Sequence, residues 1–469
     1  MTVWTFSAAA AAVRLGAPGA AAGAGMPDPV RALPCAVIDP GFAWFSSRSE
    51  RSIAEELKHS GYRSVRYIAV RASQARPELV RALRDAGLPV ILSVFGNGVY
   101  GAGGLPEGWE AWKMRQREGE TSGYTYLCLN EPAYREWKKR EITDAVIRCR
   151  FDAVEIVEPF WPAHGGPETA AYGCLCPRCL ERFRRETGLE PPDFQDPGSE
   201  CFWKKDAERY RKWVDARAGW LTEFLDCLIN GREGLRDRCP GVRALTWGIA
   251  SRAATPEVMR EWEGVDGADI VRRVRPDAHV VQTDWPDWLD PDLPPDYVRQ
   301  YEPYILQARR ARPGLPVLIQ TDLGSDRKML RPDAWIEQCD REARRAGALG
   351  VFGYMHSLQK SVYTAPIRML SHTDEGDTVR IVLNKWPAPE ITETRNWRAR
   401  GAEVASVERD GCTVVVRLQD RRPGTAVRLS WKPVTDDPSR RWFKDAAGPC
   451  PWEGPAELVL RPPQRQDGR

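Results

Sequence analysis

The stretch from Tyr126 to Gly188 decides how the rest of the chain is interpreted. It contains YLCLNEPAYRE at 126–136, DAVEIVEP at 152–159 and CLCPRCLERF at 174–183. The middle segment is a short apolar run that ends in the carboxylate of Glu158, and the two outer segments carry cysteines. A buried strand that ends in an acid is typical of a catalytic position, and clustered cysteines are typical of a metal site. We therefore expect a catalytic site beside a metal site.

Short apolar runs alternate with helix-like segments on both sides of this stretch. This alternation predicts βα units and a parallel sheet. A helix is expected around Ser52 to Lys58, with Ser52 and Glu55 as a capping box. Eight apolar runs are present, at 35–39, 65–70, 90–95, 153–158, 244–249, 279–284, 317–322 and 350–354. The pattern predicts an α/β fold, a (β/α)8 TIM barrel over residues 35–374, with a weak crossover after the fifth run.

The pattern changes after about residue 374. Three runs alternate with period two between Gly, Asp and Pro turns, namely TVRIVL at 378–383, CTVVVRL at 412–418 and AVRLSW at 426–431. Period two predicts a small antiparallel β domain, β-sandwich-like, over 375–461. Residues 462–469 and the Ala/Gly-rich leader at 1–34 are expected to be disordered. The leader lacks a positive segment ahead of its apolar run, so a disordered leader is favoured over a secretory signal, and an over-called start upstream of Met26 is one explanation for it.

Composition excludes several classes of protein. Hydrophobic residues make up 42% and charged residues 28% of the 469, and the net charge is +3. This balance provides no basic field for nucleic acid, and no apolar run is long enough to span a membrane. The 12 cysteines lack the spacing of a disulfide scaffold, which favours a reducing cytoplasm. The oligomeric state stays open, with a homo-oligomer as one option.

Three acids end predicted strands at the face where barrel active sites lie: Glu158, Asp284 and Asp322. The last two follow the same local sequence, Gln-Thr-Asp. Two carboxylates at one mouth are the requirement of glycoside hydrolysis, in which one protonates the leaving oxygen and the other attacks the anomeric carbon or activates water. The alternative is that these acids cap helices or pair with arginines. Glu155, on the opposite strand face by alternation, is expected to be a buried structural acid.

Further residues at the same rim are candidate substrate contacts. Sugar rings stack on aromatic side chains while their hydroxyls bind polar partners, and the chain contains 19 tryptophans. The alternative for the aromatic residues is core packing. The candidates after strands one, four, six and eight are Asp39, Trp44, Trp161, Trp285, Tyr354 and His356.

The cysteines form the more specific pattern. Cys174, Cys176 and Cys179 lie within six residues, and Cys128 lies on the loop after strand three, which neighbours the loop after strand four in a barrel. Four thiolates suit zinc, and a closed shell of four sulfurs leaves no position for substrate. We expect a structural zinc that pins two loops beside the site. The alternative is four buried free thiols.

These motifs together resemble glycoside hydrolase family 42, the β-galactosidases of clan A. The resemblance rests on Cys128 before Pro-Ala-Tyr-Arg-Glu, a strand ending in Glu158, and the Cys-x-Cys-Pro-x-Cys run. It implies that Glu158 is the acid/base and that the four cysteines bind zinc. Val157 stands where the clan has Asn, Asp322 stands where the family has a Glu nucleophile, and the large middle domain is missing. Galactoside specificity is therefore not implied.

The resulting hypothesis is a retaining glycoside hydrolase that acts on an oligosaccharide or glycoside. Glu158 would be the general acid/base, Asp322 the nucleophile and Asp284 a residue that orients substrate or stabilises developing positive charge. In one variant the strand-four acid is the nucleophile, as in amylase-like barrels. The alternative from another class is a carbohydrate-binding barrel without hydrolase activity.

Overall fold

The computed structural model describes residues 26–119, 123–162, 165–321, 330–353, 356–422 and 424–461. Eight parallel strands form one sheet in chain order, and the two end strands approach each other, so the sheet is a nearly closed barrel. The strands are β1 (Cys35–Ile38), β2 (Ser64–Ala69), β3 (Val90–Phe95), β4 (Ala153–Val157), β5 (Arg243–Ala250), β6 (Ala278–Thr283), β7 (Val317–Gln320) and β8 (Val351–Phe352). The predicted α/β barrel is confirmed to this extent.

The strands are short runs rich in Val, Ile and Leu because the sheet is covered on both faces. Every residue of β2, β3 and β6 is buried, which is typical of parallel strands between a filled interior and a layer of helices. Their ends lie within one or two residues of the predicted runs, and β8 is the shortest strand of the barrel, with two residues.

Nine helices of eight or more residues lie in the described part of the chain. They are α1 (Glu50–His59), α2 (Pro77–Asp85), α3 (Pro132–Cys149), α4 (Pro177–Thr187), α5 (Ala207–Ile229), α6 (Pro256–Glu263), α7 (Gly267–Val274), α8 (Glu302–Ala311) and α9 (Asp333–Arg345). Shorter helical turns lie at Ala72–Gln74, Trp109–Trp112, Leu235–Arg238, Trp285–Trp288, Pro295–Tyr301, His356–Leu358, Lys360–Thr364, Pro389–Thr392, Thr394–Asn396 and Pro438–Arg440.

The start of α1 corrects one prediction. Ser49, not Ser52, is the N-cap, and its hydroxyl accepts a hydrogen bond from the Ser52 amide. The Ser52 hydroxyl instead donates to the carbonyl of Asp410 in the C-terminal domain. The predicted capping box at Ser52 is therefore wrong, because the Ser52 hydroxyl bonds the C-terminal domain and does not cap the helix.

The C-terminal region forms two antiparallel sheets over a shared core. Its strands are β9 (Met369–Asp374), β10 (Thr378–Leu383), β11 (Trp397–Arg400), β12 (Glu403–Asp410), β13 (Thr413–Gln419), β14 (Val427–Trp431) and β15 (Glu457–Leu460). The orders are β9-β10-β13-β12 and β11-β14-β15, and apolar side chains of both sheets belong to one buried cluster. Because β9 pairs with β10, this sheet begins at Met369, inside the range predicted for the barrel. A short two-stranded hairpin pairs Gly98–Val99 with Thr125–Tyr126 beside the barrel.

Ordered packing begins before the first strand, since Val30 and Ala32 are buried. This packing corrects the prediction that the leader is disordered as far as residue 34. Residues 1–25 of that leader and the tail at 462–469 lie outside the described residues, as do Asp322 and Tyr354. Within the described ranges, no helix is both long enough and apolar enough to cross a bilayer.

Candidate active site and candidate metal centre

A small, partly enclosed cavity lies inside the barrel and reaches the carboxyl ends of its strands, the end where barrel active sites lie. Glu158 is on its wall, and Gln282 and Gln320 lie side by side in register on neighbouring strands. The cavity is lined by Val37, Arg66, Ile68, Ser93, Phe95, Val157, Glu158, Gln282, Gln320, Phe352 and Gly353. In the repeated Gln-Thr-Asp sequence, glutamine therefore faces inward, while Thr283 turns outward and shares a hydrogen bond with Tyr297.

Glu158 reaches this cavity by leaving the strand geometry. Its φ is +52°, a left-handed conformation that is uncommon for a residue with a side chain. The hydroxyl of Tyr124 lies 3.3 Å from its Oε2 and donates to it. Alternation alone would have turned Glu158 away from Glu155 and Val157, but the positive φ re-aims the side chain. An unusual backbone conformation of this kind is often found at functional sites.

An aromatic wall borders Glu158. Consecutive ring centroids are 4.7 to 6.1 Å apart, at mostly edge-on or tilted angles. Burial and the charge of Glu158 raise the pKa of Tyr124 well above its usual value, so its hydroxyl stays protonated as a donor. The wall runs through Phe95, Tyr100, Tyr124, Tyr126, Phe160 and Trp247. Sequence reasoning missed Tyr124 and Tyr126, because they lie on the hairpin between β3 and α3 rather than at a strand end.

Asp284 follows β6 and is nearly buried, at 7% exposed. Its carboxylate accepts a hydrogen bond of 2.8 Å from the Trp285 amide and so caps the short helix Trp285–Trp288. The helix-capping alternative therefore describes part of what this acid does. Asp322, the expected partner of Glu158, lies outside the described residues.

Asp39 and Trp285 follow strands of the barrel and are at least partly exposed. Asp39 follows β1, and its Oδ1 accepts the Gly41 amide at 2.8 Å. Burial raises the pKa of Asp39, against the opposing effect of that hydrogen bond. Trp285 is 42% exposed. A partly exposed indole beside the mouth can present a face to a sugar ring.

Three other predicted contacts are not at the mouth. Trp161 is fully buried, and its indole N–H donates to the Arg217 carbonyl at 2.9 Å. Trp44 is 3% exposed and donates to Glu56 at 3.0 Å, and His356 is 6% exposed and bonds the same Glu56 oxygen at 2.8 Å. These side chains pack in the interior, which corrects the expectation that they line the rim. The Tyr354 prediction falls outside the described residues.

A buried ion pair lies at the wall of the cavity, which Arg66 lines. The Arg66 Nε donates to Glu155 Oε2 at 2.7 Å, and both side chains are almost fully buried. The guanidinium carbon of Arg66 lies 3.5 Å from the centroid of the Phe352 ring. Glu155 is thus the buried structural acid expected from the sequence, and Arg66 is the partner that neutralises it.

The four predicted metal ligands converge. The sulfur atoms of Cys128, Cys174, Cys176 and Cys179 all lie within 4.8 Å of one another, and all four residues are buried. Cys128 Sγ is 3.8 Å from Cys176 Sγ and 3.5 Å from Cys179 Sγ. Four sulfurs bound tetrahedrally at about 2.3 Å from one ion would be about 3.8 Å apart. The cluster therefore fits one metal ion, and its spacings are too long for a disulfide.

The surroundings of the cluster suit bound thiolates. Cys176 is the N-cap of α4 and Cys179 lies in its first turn, where the positive end of the helix dipole favours negative charge. The Asn130 amide donates to Cys179 Sγ at 3.3 Å. The neighbouring backbone is also fixed, because Arg217 donates to the Gly173 carbonyl at 2.9 Å. The cluster ties the loop after β3 to the loop after β4.

No protein-family model matches the sequence, and no curated protein matches it. Among solved structures, the glycoside hydrolase domain of PelA from Pseudomonas aeruginosa is 13% identical, with a TM-score of 0.39 over 68% of this chain and 94% of that one. A cold-adapted β-galactosidase from Rahnella sp. R3 is 14% identical, with a TM-score of 0.47 over 69% of this chain and 50% of that one. A β-galactosidase from Bacillus circulans is also 14% identical, with a TM-score of 0.45 over 68% of this chain and 50% of that one. The chain spans half the length of both β-galactosidases, and similarity at this level does not bear on activity.

Proposed function

We propose that the chain is a glycoside hydrolase whose general acid/base is Glu158. The observation that carries the proposal is the placement of Glu158. This residue follows β4 with a positive φ, and its side chain lines the cavity and accepts a hydrogen bond from the Tyr124 hydroxyl. A carboxyl group beside an aromatic wall is the environment in which a proton is transferred to a glycosidic oxygen.

The second carboxylate of the mechanism is assigned to Asp322, with Asp284 in the orienting role. The hydrogen bond from the Trp285 amide fixes the Asp284 carboxylate, which suits a residue that positions substrate or stabilises developing positive charge better than it suits a nucleophile. In a retaining enzyme the nucleophile and the acid are about 5 Å apart, and in an inverting enzyme about 7 to 9 Å. A crystal structure in which the Asp322 and Glu158 carboxylates are more than about 9 Å apart would rule out these two residues as the catalytic pair.

The substrate is proposed to be an oligosaccharide or glycoside. Gln282 and Gln320 offer amide donors and acceptors to sugar hydroxyls, while the aromatic wall and Trp285 offer faces to the ring. Asp39 would bind a hydroxyl at the opposite side of the mouth.

The test is hydrolysis of a broad panel of aryl glycosides and oligosaccharides by wild type and by Glu158→Gln. The matched control is Glu181→Gln, which removes an equally large acid from the exposed surface of α4. We expect turnover by wild type and the control, and a loss of at least about 10²-fold in Glu158→Gln. Equal turnover by all three proteins would refute the role of Glu158.

A second candidate is a carbohydrate-binding barrel without turnover. The specific observation in its favour is Val157, which offers no hydrogen bond where clan A enzymes have an Asn, together with the capping role of Asp284. Binding of sugars by wild type with no cleavage across the panel would favour this candidate.

The metal proposed for the four-cysteine cluster is zinc. A buried set of four thiolates matches the ligand preference of a structural zinc site, and such a site leaves no position for substrate. Zinc would therefore hold the loops beside the mouth, and the proposed proton transfers do not involve it.

A further inference from the structure

The three-stranded sheet β11-β14-β15 has one apolar face and one cationic face. Its inward side chains belong to the buried core of the C-terminal region. Its outward side chains are exposed or half-exposed, because alternate residues of a strand point to opposite faces. We call this outer surface the basic face; it consists of Arg398 and Arg400 on β11, Arg428 and Ser430 on β14, and Glu457 and Val459 on β15.

Further cations extend the basic face at both ends. Arg395, with a side chain that is 81% exposed, and Lys432 border a shallow depression at one end, and Arg461 follows β15 at the other. The depression is lined by Arg395, Asn396, Arg398, Ser430, Trp431 and Lys432.

Acids balance only part of this charge. Glu457 lies 4.0 Å from Arg428, and Glu393 pairs with Arg395 at 2.8 Å. Arg398 donates only to the backbone carbonyls of Arg395 and Trp397. Across the described residues, no acid pairs with Arg398, Arg400, Lys432 or Arg461. The face is therefore positive on a chain whose net charge is only +3.

Arg400 and Arg428 are direct cross-strand partners in the register of β11 and β14. Like charges directly opposite each other destabilise a sheet. An anionic group that bridges the two guanidinium groups would convert this repulsion into a pair of charge-assisted hydrogen bonds. The cross-strand pair thus marks where an anion is expected to bind.

We propose that the basic face binds an anionic polysaccharide, one whose sugars carry carboxylate or sulfate groups. The choice of a carbohydrate polymer rests on the proposed function of the barrel. Nucleic acid fits less well, because Trp397 and Trp431 are only 3% and 6% exposed and offer little aromatic surface on which bases could stack. Arginine rows without such platforms suit repeated carboxylate or sulfate groups.

The test compares the full-length protein with R398Q/R400Q/R428Q. The matched control is R63Q/R185Q/R211Q, which removes three exposed arginines from the barrel region.

Binding is measured by calorimetry and affinity electrophoresis against alginate, dextran sulfate, neutral dextran and a mixed-sequence single-stranded DNA, at low and high salt. We expect wild type and the control to bind alginate or dextran sulfate and not neutral dextran. The face variant should bind at least about tenfold more weakly, with a reduced salt dependence.

Equal binding by the face variant and the control would overturn the proposal, as would binding of DNA more tightly than either anionic polysaccharide. Preference for alginate would identify the group as carboxylate, and preference for dextran sulfate would identify it as sulfate. Hydrolysis of small neutral aryl glycosides should be the same in the face variant and wild type. Loss of hydrolysis in every protein, with arginine-dependent binding retained, would refute the proposed activity and leave the binding site standing.

Discussion

The approach of Tyr124 to Glu158 depends on a glycine. A Cβ atom built at Gly98 would lie only 1.7 Å from the Tyr124 hydroxyl oxygen, whereas one at Gly101 in the same loop would meet nothing within 4 Å. Neither glycine has a positive φ. Gly98 is thus required for close approach of the tyrosine, and not for its own backbone conformation.

On the proposed hydrolase function, we predict that Gly98→Ala displaces Tyr124 and lowers kcat/KM for glycoside hydrolysis by about 10- to 100-fold, since small misplacements of groups at a reacting centre have large effects on rate. Gly101→Ala should leave kcat/KM within about twofold of wild type. Steady-state kinetics of the two variants, with thermal unfolding to show that both are folded, provides the measurement. Equal kinetics in both variants would contradict a role for the Tyr124 contact.

The sequence predicted individual residues unequally. That Glu158 would lie at the cavity and that the four cysteines would converge could be expected, because a strand end and a short cysteine spacing are local patterns. Trp44 and Trp161 could not be separated from rim residues, because their burial depends on Glu56 and Arg217, which come from elsewhere in the chain. The positive φ of Glu158 also has no local signal in the sequence.

Among the elements, the loops after β3 and β4 depend on the cysteine cluster. We predict that the purified protein contains about one zinc ion per chain, and that Cys176→Ser lowers zinc content and reduces Tm by about 10 °C. The matched control is Cys201→Ser, which changes a half-buried thiol outside the cluster. Elemental analysis and calorimetry measure both effects. A zinc-free wild type with the same Tm as Cys176→Ser would favour free thiols.

Helix α1 carries a buried carboxylate toward the C-terminal domain. Glu56 accepts hydrogen bonds from Arg48 and Trp44 and bonds His356. Burial alone would raise the pKa of Glu56, but the Arg48 charge and the His356 ring outweigh it and lower the pKa from 4.5 to about 2. The ionised form is therefore favoured in the folded state.

This lowered pKa predicts a pH-dependent stability. Because unfolded Glu56 binds a proton more readily than folded Glu56, its stabilising effect of about 3 kcal/mol is present above about pH 4.5 and is lost as the pH falls toward 2. The difference in free energy of unfolding between wild type and Glu56→Gln should shrink over that range. Urea unfolding at pH 7, 5 and 3.5 measures it, with Glu181→Gln as the exposed control. If the difference in free energy of unfolding between wild type and Glu56→Gln did not change with pH, the lowered pKa of Glu56 would be contradicted.

The elements themselves were largely predictable. Period-two and apolar runs placed the strands closely. Pro77, Pro132 and Pro177 stand at the first position of α2, α3 and α4, where proline is common. The misplaced cap of α1 and the assignment of β9 to the barrel share one cause. Ser52 and β9 are fixed by partners in the C-terminal sheet, which local patterns do not report.

In the whole molecule, the barrel and the β domain share polar contacts at one boundary. Arg380 pairs with Glu55 at 3.0 Å, and the Trp386 indole N–H donates to the Trp44 carbonyl at 3.0 Å. The Ser49 amide donates to Asp410 at 2.6 Å. The sequence predicted two units but not this boundary, because its members are separated by more than 300 residues. We expect the two units to unfold in one transition.

Gly411 tests this coupling because it lies at the boundary, in the turn between β12 and β13. Its φ is +65°, and a Cβ atom built there would lie 2.1 Å from Arg48 Nε. Gly376, in the turn between β9 and β10, has a φ of +87°, and a Cβ atom built there would meet nothing within 4 Å. Left-handed strain alone costs about 1 kcal/mol in either alanine variant. Gly411→Ala must also displace the buried Arg48–Glu56 pair, so we predict a loss of about 3 kcal/mol against about 1 kcal/mol for Gly376→Ala. Calorimetry should show one transition at a lower Tm in Gly411→Ala. Two separate transitions, with only the β domain destabilised, would mean that the boundary does not couple the units.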